Sequence, residues 1–203
     1  MTIRKGEAWG APGPLPEAGR LVRSDAAARL LVEPAWLAGE ALPVLGLLDG
    51  DLCHTLGGQG DEARLRSADA MTFPIDLGVA TFDGQRHCFL AHAVARRAWW
   101  RGRAVAAMNA QWLGNWDLGP RSHPNDGLLD LTDGVLPLGQ RLEARRRART
   151  GTHLPHPDLA TSRVAAADLT FAHPLDVWLD GTRVGRTTTL HLAIEPDALR
   201  VVV

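Results

Sequence analysis

The chain has 203 residues, enough for one sizeable domain that buries roughly 70% of its unfolded surface, so no disulfide or metal staple is needed. Apolar residues make up 45% and charged residues 22%, with 21 Gly and 13 Pro, which excludes a largely disordered chain and points to many turns. A formal charge of −1 gives no global field to gather nucleic acid, so no nucleic-acid partner is expected, although arginine so outnumbers lysine (Lys5 alone) that local basic patches stay open.

The first ten residues carry a basic pair without an apolar run behind it, and stretches such as "ALPVLGLL" fall far short of a membrane span. A cytoplasmic protein without a transmembrane segment is expected, with Cys53 and Cys88 reduced. Residues 6–20, "GEAWGAPGPLPEAGR", read as an irregular arm anchored by Trp9. Ser24 or Asp25 then caps a helix through "AAARLLVE", which Pro34 is expected to end, and "LPVLGLL" reads as a buried strand.

Beyond Phe73 the chain reads as mostly β. Asp-Gly pairs at 49–50, 83–84, 126–127, 133–134 and 180–181 suit hairpin turns that need positive φ. Strands are expected at 75–81, 87–94, 103–110, 127–131, 164–171, 175–179, 188–194 and 198–203, a set that suggests a sandwich. One helix interrupts them near 138–150, "LGQRLEARRRARTG", with Leu138 and Leu142 expected on its inner face and Gly151 as its stop. The division implied is residues 1–72 and 73–203.

Several residue groups invite chemistry. His153 and His156 are separated by Pro155, and His87 and His92 differ by an odd number, so neither pair has a zinc-ligand spacing on one face. Cys53 and Cys88 sit in no nucleophile elbow and read as small buried hydrophobes. The run Arg141, Arg145, Arg146, Arg147 and Arg149 suits either a phosphate or anionic lipid surface, or a solvated helix end. Trp99, Trp100, Trp112 and Trp116 suit an apolar groove or a core.

The order of several motifs goes further. "PIDLG" (74–78) with "FDGQRHCFLAHA", then "AVAAMNAQWLGNWDLGPRSHPNDGLLDL" (104–131), then "TGTHLPHP" and "VWLDGTRVG", together resemble the bacterial diacylglycerol kinase family of soluble lipid kinases, relatives of NAD kinases. Asn109, Asp126, Gly127, Leu128, Leu129 and Asp130 match the family's Gly-Asn strand and its "DDGLLDV" segment. The resemblance implies a mainly β fold with α+β elements, a C-terminal β-sandwich as in lipid kinases, and a remnant of an N-terminal α/β nucleotide domain within residues 1–72. It also implies a structural magnesium held by Asp126 with the carbonyls of His123 and Leu128, a role that an Asp-Gly turn without an ion would equally explain.

The same resemblance exposes departures. The family's phosphate-cradling "GGDGT" turn falls on "RSDAA", Arg23 to Ala27, where Asp25 survives; its "GTGND" falls on "LLDGD", where Asp51 survives. Side chains at a turn built for glycine restore Cβ atoms where a phosphate must approach. Losing two or three charge-assisted bonds of roughly 1.5–3 kcal/mol each lowers ATP affinity at least about a hundredfold, so nucleotide binding is expected to be impaired. Asp180 corresponds to the family's general base, but Thr182 replaces the acid that follows, which leaves Asp180 open to being a hairpin residue only.

The leading expectation is therefore a non-catalytic or impaired lipid kinase relative that acts by binding. Its partner would be a lipid or other apolar ligand, a second copy, or a nucleotide-binding subunit. The alternatives are an active lipid kinase completed in trans, with Asp180 as general base, and a structural oligomerisation module.

Overall fold

The computed structural model describes residues 9–98 and 101–203. Trp99 and Trp100, and residues 6–8 of the expected arm, lie outside them. The rest of that arm is pinned. Trp9 Nε1–H donates to the Pro74 carbonyl at 2.9 Å and its ring packs on Phe73 and His123. A short edge strand, β1 (Ala11–Pro12), pairs antiparallel with residues 71–72.

Strand β2 (Arg20–Val22) leads through Ser24 into helix α1 (Asp25–Ala38), and β3 (Leu45–Leu47) returns parallel to β2. Ser24 is the cap, its hydroxyl accepting from the Ala27 N–H at 3.1 Å. Pro34 does not end the helix, contrary to the sequence expectation. It lies on the exposed side, where its missing N–H costs one solvent-facing bond, and the turn beyond it is held by Trp36, whose Nε1–H donates to Glu195 at 2.8 Å. Gly39, at φ 69°, closes the helix instead. Two short helices follow, α2 (Asp51–Thr55) and α3 (Glu62–Leu65).

The remaining elements are β4 (Met71–Phe82), β5 (Gln85–Phe89), β6 (His92–Arg96), β7 (Ala104–Met108), the small pair β8 (Trp112–Leu113) and β9 (Trp116–Asp117), β10 (Leu129–Gly134), α4 (Leu138–Ala148), β11 (Leu159–Val164), β12 (Ala166–Leu179) and β13 (Thr182–Val202). Hydrogen bonds run in the order β1-β4-β13-β12-β6-β7-β10-β11, with β5 on β4 and β3 joining β13 in parallel. The expected breaks near 172–174 and 195–197 are not loops. They are register shifts inside single long strands, between Thr170 and Leu175 and between Glu195 and Leu199, which let the strands bend and the sheet fold over itself.

Inward-facing Phe82, Phe89, Ala93, Ala95, Val105, Ala107, Leu131, Val177, Leu179 and Leu192 fill the sandwich, and a second core sits under α1 around Val32, Leu45, Leu52, Ile75 and Val201. Gly78 is required by close approach, because a Cβ there would collide with the Phe89 ring across the β4–β5 pair.

Two Asp-Gly pairs form the expected tight hairpins, at Asp83-Gly84 (φ 49° and 73°) and Asp180-Gly181 (φ 49° and 79°). The pair at 133–134 instead continues β10, because both its neighbours, β7 and β11, pair through those positions. In α4 the expected inner face is also corrected: Leu138 and Leu142 are exposed, while Arg141 and Ala148 are buried. Arg141 can turn inward because its guanidinium reaches the carbonyls of Leu136 (2.7 Å) and Gly102.

Pro34→Ala is expected to stabilise the protein. Restoring a helix N–H outweighs the lost rigidity of the unfolded chain by about 1–2 kcal/mol, readable as a higher midpoint in urea.

Candidate functional site

The β12–β13 hairpin carries Asp180 at its tip, where φ is positive and the side chain is buried rather than turned to solvent. Its carboxylate accepts from three successive main-chain groups where β5 breaks into β6: Leu90 N–H (2.9 Å), Ala91 N–H (2.8 Å) and His92 N–H (3.2 Å). Asn109 clamps the same break, donating to the carbonyls of Leu90 (2.7 Å) and Asp76 (3.0 Å). Asp180 is thus both a hairpin residue and a buried acid.

The break delivers His92 to the N-terminal segment. Its Nε2 lies 2.9 Å from Asp51 Oδ2, and Asp51 Oδ1 accepts from Gly114 N–H at 2.7 Å. Asp25 closes the group, accepting from the N–H groups of Asp51 (2.6 Å) and Leu52 (3.2 Å) and so capping α2. Three of the residues picked from sequence, Asp25, Asp51 and Asp180, therefore converge. His92 was missed, since no local pattern marks a histidine that meets its partner across 41 residues of chain.

Burial, and then the charge of Asp180, push the Asp25 carboxyl up to about 7. Burial likewise raises Asp180, against the pull of His92 and the three N–H groups. His92 is lowered by its own burial but raised more by Asp51, Asp180 and Asp25, and ends above its ordinary value. His92 and the two raised carboxyls, Asp25 and Asp180, thus share one buried cluster. Asp51 and its helix also border a polar cleft of about 400 Å³ lined by Asp49, His54, Gln59 and Asn115. Both cysteines are buried and their thiols pushed up by burial, Cys53 to about 11, which leaves them unreactive.

A second feature lies beneath α4. Val94, Ala106 and Thr132 sit side by side on β6, β7 and β10, and the small residues Ala104, Ala106 and Gly134 leave a floor too shallow to meet the helix. The result is an apolar cavity of about 130 Å³, walled by Leu118, Leu136, Ala148 and Leu159, with Trp116, Arg145 and His153 at its edge. Of the expected groove tryptophans, Trp116 is here, whereas Trp112 stacks on His54 at 4.3 Å.

The Asp126 turn is a separate place. Asp126 Oδ1 accepts from Leu128 N–H at 3.0 Å, its Oδ2 meets the Arg163 guanidinium, and the His123 carbonyl accepts from Asp126 N–H at 3.3 Å. Arg163 also approaches Asp130 at 3.3 Å. A fixed positive charge between the two acids occupies the ground a magnesium ion would need, so these residues, as arranged, do not fit that ion.

Residues 70–203 match the family model described as the YegS C-terminal NAD kinase β-sandwich-like domain. The chain belongs to this family. Solved structures from Bacillus anthracis str. Sterne share the fold: a protein assigned as a diacylglycerol kinase (TM-score 0.62, 14% identity, covering 79% of this chain and 69% of that one) and a diacylglycerol kinase (0.56, 15%, 79% and 66%). No protein of curated function matches. The fold class and family resemblance read from the motifs stand. Among the described residues no helix is long and apolar enough to cross a membrane.

Folded Asp25 keeps its proton to about 7 whereas an unfolded aspartate releases it near 3.8, so the native state loses stability as pH rises through that window. Asp25→Asn lacks this loss; its melting temperature minus that of the unmodified protein is expected to climb between pH 4 and pH 7. Magnesium or EDTA is expected to leave the unmodified protein's melting temperature unchanged, while Arg163→Met lowers it and magnesium partly restores it.

Proposed function

We propose that this protein binds a lipid, its chain in the cavity beneath α4 and its polar head at the Asp51–His92 pair, and that it does not itself transfer phosphate from ATP. The observation that carries this reading is a spacing. His92 of the polar cluster and Val94 of the cavity lie two residues apart on β6, hence on one face and about 7 Å from each other. An amphiphile with an acyl tail and a hydroxylated or cationic head spans that distance. A dry apolar cavity of this order accepts a small hydrocarbon, so the end of a chain fits within it while the head stays at the acids.

The loss of phosphate transfer is supported by how the helix termini are used. The Ala27 N–H at the start of α1 is taken by Ser24, and the Asp51 and Leu52 N–H groups at the start of α2 are taken by Asp25, so these amides are not open to a nucleotide's phosphates. Asp180 spends its oxygens on main-chain donors, leaving it poorly placed to accept a proton from a substrate hydroxyl.

One observation favours a second reading. Asp51 and His92 form an acid–imidazole pair beside an open polar cleft, which suits a phosphoryl-transfer enzyme that draws its nucleotide from a partner subunit.

Purified protein titrated with a fluorescent fatty acid or short-chain diacylglycerol is expected to bind, and Ala106→Phe, which fills the cavity floor, to reduce affinity at least about tenfold. Calorimetry with Mg-ATP is expected to give no dissociation constant below roughly 10 μM, and no ADP should form. ADP release that requires lipid and vanishes in His92→Gln would overturn the non-catalytic reading in favour of the second.

A further inference from the structure

Two histidines that stand close together in the sequence, His153 and His156, are used differently by the fold. His156 is only partly buried, and its Nδ1 accepts from the Asp158 N–H at 3.1 Å. His153 is 4% exposed and lines the cavity beneath α4. The end of that helix delivers it there: the N–H groups of Thr150 and Thr152 both donate to the Arg147 carbonyl at 3.1 Å, which closes the last turn and brings residue 153 to the wall.

Among the described residues neither ring nitrogen of His153 has a hydrogen-bond partner. The Leu118 carbonyl pulls on the ring without making a bond of normal geometry, and Asp117 acts on it through charge alone. Of the Asp117 oxygens, Oδ2 accepts from Gln111 Nε2 at 3.0 Å and Oδ1 has no donor. A buried polar group left unpaired costs free energy, and native proteins pair nearly all of theirs with protein, water or ligand. A trapped water needs two to four polar partners, whereas this wall is largely hydrocarbon, with Leu118, Leu136, Ala148 and Leu159.

Burial lowers the basicity of the ring more than Asp117 and the Leu118 carbonyl restore it, so His153 is held below its ordinary pKa and is neutral near pH 7. A neutral imidazole offers one donor and one acceptor. A carboxylate would be opposed by the nearby Asp117, while Arg145 at the rim lies over the Trp116 ring. An ammonium would give up its hydration to an apolar wall. A hydroxyl both donates and accepts, and so suits either tautomer.

We propose that His153 recognises a hydroxyl group on the apolar ligand of the α4 cavity. The hydrocarbon of that ligand fills the space over Ala104, Ala106 and Gly134, and its hydroxyl exchanges a hydrogen bond with the ring. The class of natural ligand rests on the lipid-binding reading, which makes it a lipid whose buried chain is hydroxylated; the His153 subsite itself does not rest on it.

Phenol and benzene are the probes, since an apolar cavity of about 150 Å³ binds benzene and this one measures about 130 Å³. Each is titrated into full-length protein and followed by NMR. Both are expected to bind the unmodified protein and neither to bind Ala106→Phe. Phenol is expected to shift the His153 ring nitrogens, and benzene to leave them in place. In His153→Leu the preference for phenol over benzene is expected to fall at least about tenfold. The ring-nitrogen shift is read on the unmodified protein, so a poorly folded variant does not shield the proposal. An unchanged preference in His153→Leu, ring nitrogens that answer both probes alike, equal binding to Ala106→Phe, or no binding of either probe overturns it. Should the probes behave as expected while the fluorescent acyl ligand does not bind, the lipid-binding reading fails and the His153 subsite stands.

Discussion

The carboxylate of Asp180, taken by three consecutive main-chain N–H groups, is the contact on which the rest of the molecule turns. Without it, three buried donors at the β5–β6 break would lose their acceptor, at about 1–3 kcal/mol each. That sum approaches the whole stability of an ordinary domain. With it, the chain kinks at Leu90 and Ala91 and restarts as β6 with His92 aimed at Asp51. The N-terminal helices are thereby tied to the sandwich through the Asp51–His92 contact as well as through the shared core around Leu52 and Ile75.

Asp25, Asp51 and Asp126 are all turned onto the protein itself. Asp25 caps one helix, Asp51 bridges an imidazole and the Gly114 N–H, and Asp126 meets an arginine. Each of these bonds satisfies a donor that would otherwise be free for an anionic ligand. Motif aspartates alone therefore do not establish an activity, because the same side chains can be engaged by the protein's own donors.

Features that depend on a few neighbouring residues were legible in the sequence. The Asp-Gly hairpins at 83–84 and 180–181 need only two residues with positive φ, and the Ser24 cap needs one hydroxyl three residues before an amide. Features decided by distant packing were not. Leu138 and Leu142 do share a row, as their spacing says, but which row of a helix faces the sheet is set by what the sheet offers, and here it offers carbonyls to Arg141. Pro34 sits within α1 because Trp36 finds Glu195 from far along the chain. The long strands read as pairs of short ones because their bulges carry proline, Pro174 and Pro196, as turns do. Asp25, Asp51 and Asp180 were found by resemblance, whereas His92 had no motif and emerged only when β6 and α2 met.

Register connects the buried acid to the proposed ligand. Side chains alternate along a strand, so shifting the start of β6 by one residue would exchange the face of His92 and Val94 with that of Ala93 and Ala95. The first pair would then enter the sandwich interior, where Ala93 and Ala95 now pack, and a small apolar pair would face α4 and α2. Asp180 prevents that slip, because its three bonds are made to particular amides at 90, 91 and 92. One carboxylate that touches no ligand therefore decides that a polar cluster and an apolar cavity open on the same side of the sheet. In the proposed binding it acts by positioning rather than by contact.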